Sequence, residues 1–335
     1  MSRSVVAAMT AYTLELREAA IKLNQNESPF DFPRELKEQV LARMADRAWN
    51  RYPDFESTAL RTAIAKAYGL TAENILVGNG SNELLAAAIG AFVGPGTPVI
   101  FPRPTFTLYE KRVTIAGGLP IPIDFEPDSG LLPLDAMLDA IARYEDAVVI
   151  VCSPNNPTGG VLPSVEPLLA SSAMVLLDEA YIDFAGGGQA ILPVRPNLVT
   201  FRTFSKAWGL AALRVGWLAS TVENCREIRK VKLPYSLNVV SEAIAEVALA
   251  NRALRDRNVA YIISERERVF RSMQEIVDVF PTHANFICFR SRKKLFGPLL
   301  DRGILIRQVA NGNLRVSIGS REQNDAFLAA LKELV

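Results

Sequence analysis

The sequence predicts an α/β fold, a mostly parallel sheet with helices on both faces, followed by a smaller α+β region. Apolar runs such as Ala147-Val148-Val149-Ile150-Val151-Cys152 lack alternation, as expected of strands buried on both faces. Helical stretches are interleaved with these runs, which is the pattern of a parallel sheet covered on both sides. Ser81, Asn156, Asp178 and Lys206 each fall just after such a run. Open α/β sheets bind their ligands beyond the carboxyl ends of their strands, so these residues are expected to converge on one site. With 335 residues, of which 49% are hydrophobic and 22% charged, the chain has ample material for a large buried core.

The elements follow in order. Residues 1–30 read as irregular and end in Lys22-Leu23-Asn24-Gln25-Asn26-Glu27-Ser28-Pro29, a stretch of turn chemistry. It serves either as a connection or as a binding loop, since paired asparagines can read polar ligand atoms. Residues 33–48 read as a helix with proline at its start. Residues 58–68 read as a second helix, stopped by Gly69. Next comes strand, glycine turn and helix: Ile75-Leu76-Val77, then Gly78-Asn79-Gly80, then a helix capped by Ser81 or Asn82. Free amides at such a helix start suit a phosphate. The turn also begins a dinucleotide fingerprint, but Glu83 stands where the third glycine belongs, and its charge opposes a pyrophosphate.

Strands are then expected at 98–101, 119–123, 147–152, 173–177, 198–201 and 214–220, with a helix running to Val113 after the turn Pro102-Arg103-Pro104-Thr105-Phe106. Residues 236–274 read as one long helical region, whose arginines are mixed with acidic residues as on a solvated face. Short strands at 285–289, 304–307 and 314–318 and an amphipathic helix from Glu322 complete the smaller region.

Composition removes several function classes. The net charge is +1, so no long-range field draws nucleic acid or an anionic membrane. No apolar run reaches the length of a membrane span. Residues 1–16 lack the apolar stretch of a signal peptide, and a cytoplasmic location is expected. Cys152, Cys225 and Cys288 are odd in number and far apart, which argues against disulfides and a zinc knuckle and fits a reducing compartment. His283 is the single histidine. A histidine metal cluster is therefore impossible within one chain, no metal is expected, and a Ser-His-Asp triad would need that one residue. His283 precedes an apolar strand and reads as structural. Acid–base chemistry is left to lysine, carboxylate, tyrosine or a cofactor.

The chemistry centres on Thr203-Phe204-Ser205-Lys206-Ala207-Trp208-Gly209-Leu210-Ala211-Ala212-Leu213-Arg214. Two hydroxyls, Thr203 and Ser205, precede the lysine, small residues permit close packing, and Arg214 follows eight positions later. Hydroxyls, an amine and a guanidinium around one bend form an anion pocket with an amine inside it. A buried lysine can lose its proton and form a Schiff base with an aldehyde.

Taken with Leu23-Asn24-Gln25-Asn26-Glu27, Arg51-Tyr52-Pro53, Gly80-Ser81-Asn82-Glu83, Ser153-Pro154-Asn155-Asn156-Pro157-Thr158-Gly159, Asp178-Glu179-Ala180-Tyr181 and Leu314-Arg315-Val316, this stretch resembles the fold-type I pyridoxal-phosphate aminotransferases. Within them it is most similar to the histidinol-phosphate aminotransferase group, nearly end to end. The resemblance implies a seven-stranded-type sheet in a large cofactor-binding domain, residues 50–235. It implies a small domain built from both termini, residues 1–49 and 236–335, with a connecting helix.

It implies pyridoxal 5'-phosphate (PLP) on Lys206, with Asp178 holding the pyridine nitrogen protonated so that the ring acts as an electron sink. Asn156 and Tyr181 are implied at the ring's phenolic oxygen and Phe106 on the ring face, where many relatives carry tyrosine. Ser81, Asn82, Thr203, Ser205 and Arg214 are implied at the phosphate. Tyr52 is implied to reach the phosphate of a neighbouring subunit, which makes a homodimer. Asn26, Tyr12, Arg307 and Arg315 are implied at the substrate, an amine donor followed by a 2-oxo acid such as 2-oxoglutarate. The donor expected is L-histidinol phosphate, in histidine biosynthesis. An aromatic aminotransferase and a threonine-phosphate decarboxylase share the same fold and lysine. A regulatory protein of this fold would need an appended DNA-binding domain or a lost lysine, and neither is seen.

Overall fold

The structure is a computed structural model and describes residues 2–11, 17–186 and 194–335. The first strand, β1 (Ile21–Lys22), is short. It is followed by β2 (Ile75–Asn79), β3 (Pro98–Arg103), β4 (Leu119–Asp124), β5 (Val148–Cys152), β6 (Met174–Asp178), β7 (Leu198–Thr203) and β8 (Val215–Ala219). The last seven of these form one sheet in the order β2-β8-β7-β6-β5-β3-β4. All neighbours are parallel except β8, which runs antiparallel to both β2 and β7. The unalternating runs are explained by two cores. Val148, Ile150 and Cys152 enter one of them, while Val149 and Val151 enter the other on the opposite face.

The reversal at β8 places the lysine. An antiparallel neighbour can be reached by a short return, whereas a parallel one needs a long crossover. The chain leaves β7 at Thr203, bends through Lys206 and re-enters the sheet with Gly216 opposite Thr203. The Phe204 N–H donates to the Val215 carbonyl at 3.0 Å and closes the base of the bend.

The helix after β2 is Ser81–Phe92, and its cap is Gly80 at φ 79°, not Ser81 or Asn82. Close backbone approach explains the difference. A side chain on Gly216 would place its first carbon 2.1 Å from the Ser81 nitrogen. The turn must therefore close within the glycines, and Ser81 is already helical. The expected helix at 33–48 is Arg34–Ala45. The region 236–274 is two helices, Val239–Ala250 and Arg252–Gln274, separated by Asn251 at φ −114° and ψ 41°. The Asn251 side chain donates to the Val247 carbonyl at 2.8 Å, satisfying an acceptor at the broken end. Residues 1–30, read as irregular, carry a short helix, Ser4–Ala7, as well as β1.

The remaining strands are β9 (Asp278–Val279), β10 (Phe286–Arg290), β11 (Ile304–Leu305), β12 (Arg307–Gln308) and β13 (Leu314–Ser317). An antiparallel sheet runs β12-β13-β10-β9, and β1 pairs in parallel with β11. The N-terminal segment is thus stitched to the C-terminal sheet. Leu23 extends the link by accepting the Ser317 N–H at 2.9 Å.

Candidate active site

The Lys206 amine donates to the backbone carbonyls of Gln25 at 3.0 Å and Asn26 at 3.2 Å. It also lies 5.8 Å from the centre of the Tyr181 ring. Its pKa is lowered to about 7, mainly by burial, then by Arg315 and Arg214, against the opposing pull of Glu27. At pH 7 about half of such amines are neutral, against roughly one in a few thousand for an ordinary lysine. This is the proton-poor amine that an aldehyde requires. Because the pKa is depressed, the reactive form is present above pH 7 and lost below it. PLP capture by the apoprotein should therefore rise with pH to a midpoint near 7 and then level off. A rate still climbing toward pH 10 in stopped-flow absorbance would contradict this.

Asp178 ends β6 and is buried. Burial raises its pKa; the Tyr109 hydroxyl, donating to Oδ2 at 2.7 Å, and the Ala180 N–H, donating to Oδ1 at 3.0 Å, pull it back down. Tyr109 is fully buried and was not singled out from the sequence. Phe106 meets it edge-on at 5.6 Å. Tyr109→Phe should cost the apoprotein about 1.5–3 kcal/mol, the worth of a hydrogen bond to a charged group. Urea unfolding measures this, and an unchanged midpoint would show that the Tyr109 contact adds nothing.

Arg315 donates through Nη1 to Asn156 Oδ1 at 2.5 Å and through Nη2 to the Asn24 carbonyl at 2.8 Å. This directs the Asn156 amide nitrogen away from the arginine. Arg307 stands directly opposite Arg315 across β12 and β13, so the two side chains share one face of the sheet. Among the described residues Arg307 has no ion pair. The short segment between the two arginines is a tight hairpin, turned by Asn311 and Gly312 at positive φ. Asn26 is 1% exposed and donates through Nδ2 to the Tyr181 hydroxyl at 3.0 Å. Tyr12 lies outside the described residues.

The residues expected at the phosphate are equally compact. A side chain on Gly80 would place its first carbon 2.5 Å from Arg214 Nη2. Arg214 Nη1 donates to Ser205 Oγ at 3.2 Å. Thr203 Oγ1 accepts the Ser205 N–H at 3.0 Å and donates to the Val215 carbonyl at 3.3 Å, which ties it into the bend. Ser81 and Asn82 open the helix beside them, contributing N–H groups with no helical partner. Tyr52 stands apart: it is 80% exposed and stacks on Tyr235 at 4.5 Å. His283 is exposed and donates its backbone N–H to the Gly159 carbonyl at 2.9 Å.

A model of the aminotransferase class I and II family matches residues 18–331. The chain belongs to this family. It is 37% identical over 339 residues to the histidinol-phosphate aminotransferase of Thermococcus kodakarensis, covering 99% of this chain and 98% of that one. It is 39% identical over 345 residues to the histidinol-phosphate aminotransferase of Chlorobium phaeobacteroides, covering 97% and 94%. The crystal structure of histidinol-phosphate aminotransferase from Sinorhizobium meliloti, in complex with pyridoxal 5'-phosphate, superposes with a TM-score of 0.88. That match is 26% identical and covers 99% of this chain and 96% of that one. The residues of this aminotransferase fit the family's cofactor. The near-neutral Lys206 amine suits its aldehyde, and the buried Asp178 suits a protonated ring nitrogen. The glycine-lined turn closed by Arg214 suits its phosphate.

Proposed function

We propose that the chain transfers the amino group of L-histidinol phosphate to 2-oxoglutarate, with PLP held by Lys206 as a Schiff base. The observation that carries the substrate is Arg307 set opposite Arg315 on one sheet face. Histidinol phosphate has no α-carboxylate, so its phosphate is the only strong anion available to paired guanidiniums. 2-Oxoglutarate offers carboxylates at both ends, which lets the same pair serve the second half of the reaction.

PLP, when bound, supplies an electron sink for the substrate Cα–H bond. Asp178 keeps the ring nitrogen protonated. Asn156 and Tyr181 hold the phenolic oxygen, and Phe106 covers the ring face. The amides of Ser81 and Asn82, with Thr203, Ser205 and Arg214, hold the phosphate. With PLP bound, the Lys206 amine would be the base that takes the substrate Cα proton and the acid that gives it back. Residues 50–235 carry the cofactor, while 1–49 and 236–335 form the substrate-side domain.

A homodimer is part of this reading. Trp49 at 76%, Tyr52 at 80%, Phe55 at 55% and Leu233 at 66% exposure are what a second copy would cover, with Tyr52 reaching its phosphate. Among the described residues no helix is long and apolar enough to cross a membrane. The three cysteines are free and buried, which supports a cytoplasmic enzyme.

One spectroscopic experiment tests the reaction. PLP-loaded protein is mixed, without oxo acid, with histidinol phosphate, phenylalanine or threonine phosphate in turn. The cofactor absorption is expected to pass from its aldehyde to its amine form with histidinol phosphate alone. The same change with phenylalanine would make this an aromatic aminotransferase. Carbon dioxide release from threonine phosphate would make it a decarboxylase. Arg307→Ala should raise KM for histidinol phosphate about tenfold or more with little change in kcat, the signature of lost uniform binding. An unchanged KM would remove Arg307 from the pocket.

A further inference from the structure

Asn26 has every polar group engaged, and its partners come from both halves of the molecule. Its N–H donates to Ser317 Oγ at 2.8 Å, and Ser317 Oγ returns a hydrogen bond to Asn26 Oδ1 at 3.3 Å. Its Nδ2 donates to the Tyr181 hydroxyl at 3.0 Å. Its carbonyl accepts from Asn285 Nδ2 at 3.1 Å and from the Lys206 amine at 3.2 Å. The residue is 1% exposed and held at φ 54°, a conformation that asparagine tolerates better than most residues. Asn285 is fully buried. Ser317 lies two residues from Arg315 on β13, and Arg315 grips the same segment through the Asn24 carbonyl. The strand carrying the proposed anion ligand is thus tied, through one asparagine, to the two groups that meet the reacting atoms.

We propose that Asn26 is a positioning residue: it sets the Tyr181 hydroxyl and the Lys206 amine against the substrate arm, and Ser317 and Asn285 act through it. This rests on the aminotransferase reading above and assigns Asn26 a place behind the reacting atoms, not against the substrate. The Asn26 amide fills an acceptor site of the Tyr181 oxygen, which leaves the phenol's own proton to be donated elsewhere, toward the cofactor's phenolic oxygen. The two carbonyls on Gln25 and Asn26 form a resting place for the lysine amine after it has taken up the Cα proton. The charged groups facing that amine are Arg315 and Arg214, which oppose its protonation, and Glu27, which favours it.

The test compares Asn26→Ala, Asn26→Asp, Ser317→Ala and Asn285→Leu with the unaltered protein. Single-turnover conversion of the PLP-loaded protein by histidinol phosphate is measured alongside the pH dependence of PLP capture by the apoprotein. Asn26→Ala should lower the single-turnover rate constant about 10- to 100-fold and move the half-saturating donor concentration less than about threefold. Ser317→Ala and Asn285→Leu, which remove only the groups holding Asn26, should lower the rate in the same direction by about three- to tenfold.

Asn26→Asp places a carboxylate near the Lys206 amine and should raise the capture midpoint by about one pH unit or more. A tenfold or larger rise in half-saturating donor concentration for Asn26→Ala, at an unchanged rate, would make Asn26 a substrate ligand and overturn the proposal. An unmoved capture midpoint in Asn26→Asp would overturn it as well. Should Asn26→Ala fail to fold, Ser317→Ala carries the kinetic test, and an unaffected rate there would decide against coupling. Failure of the unaltered protein to capture PLP or to convert any donor would instead remove the functional reading itself.

Discussion

Lys206→Ala should lower turnover by about 10⁴-fold, the upper end of the range for a positioned acid–base group. Among the described residues, none near the bend can replace it. The Tyr181 phenol is buried and its pKa is pushed up, so it stays protonated at working pH. Asp178 is engaged by Tyr109 and Ala180. The only histidine is exposed on the loop beside Gly159. The proposed phosphate cradle, by contrast, brings Gly80, Ser205 and Arg214 together and does not use the amine. The variant is therefore expected to bind PLP noncovalently, seen as a band shifted from that of the unaltered protein and removable by dialysis. Adding a small primary amine should restore a minor part of the activity. Near-normal transamination by the variant would show that Lys206 is not the acid–base group.

The sheet was legible because its strands are buried on both faces and therefore read as unbroken apolar runs. The positions of Lys206 and Asp178 at strand ends were legible because each closes or follows such a run, at the edge where open α/β sheets take their ligands. What stayed hidden depends on approach in space. Tyr109 and Asp178 are 69 positions apart, and no local pattern marks a tyrosine whose hydroxyl is consumed by a distant carboxylate. The facing of Arg307 and Arg315 depends on the register of a hairpin, and a shift of one residue would turn the side chains to opposite faces. Asn26 and Ser317 are 291 positions apart. The Gly80 cap was misread as Ser81 or Asn82 because the crowding comes from Gly216 on the neighbouring strand. The break at Asn251 was missed because good helix formers surround it, and a single non-helical residue leaves no trace in composition.

Asp178→Ala should leave cofactor bound but slow Cα proton abstraction about 10²- to 10⁴-fold, matching the roughly 3–5 kcal/mol lost when one partner of a buried charged pair is removed. The structure gives the reason. Burial raises the Asp178 pKa, and only two neutral donors oppose that rise. Among the described residues this carboxylate has no positive partner, and a protonated ring nitrogen would supply one. In the proposed reading the pairing would also keep that nitrogen protonated, which would let the ring draw electrons from the Cα–H bond. Affinity should suffer less than rate, because the phosphate cradle and the lysine are untouched. PLP dissociation should change by about tenfold or less, since the cradle supplies most of the binding. Exchange of the Cα hydrogen with solvent, followed in single turnover, reads the step directly. Asp178→Asn separates charge from shape: its carboxamide oxygen can still accept from Tyr109, but it carries no negative charge. It should fall with Asp178→Ala, and Asp178→Glu should recover part of the rate. Wild-type exchange in Asp178→Asn would mean that the ring nitrogen does not need the charge.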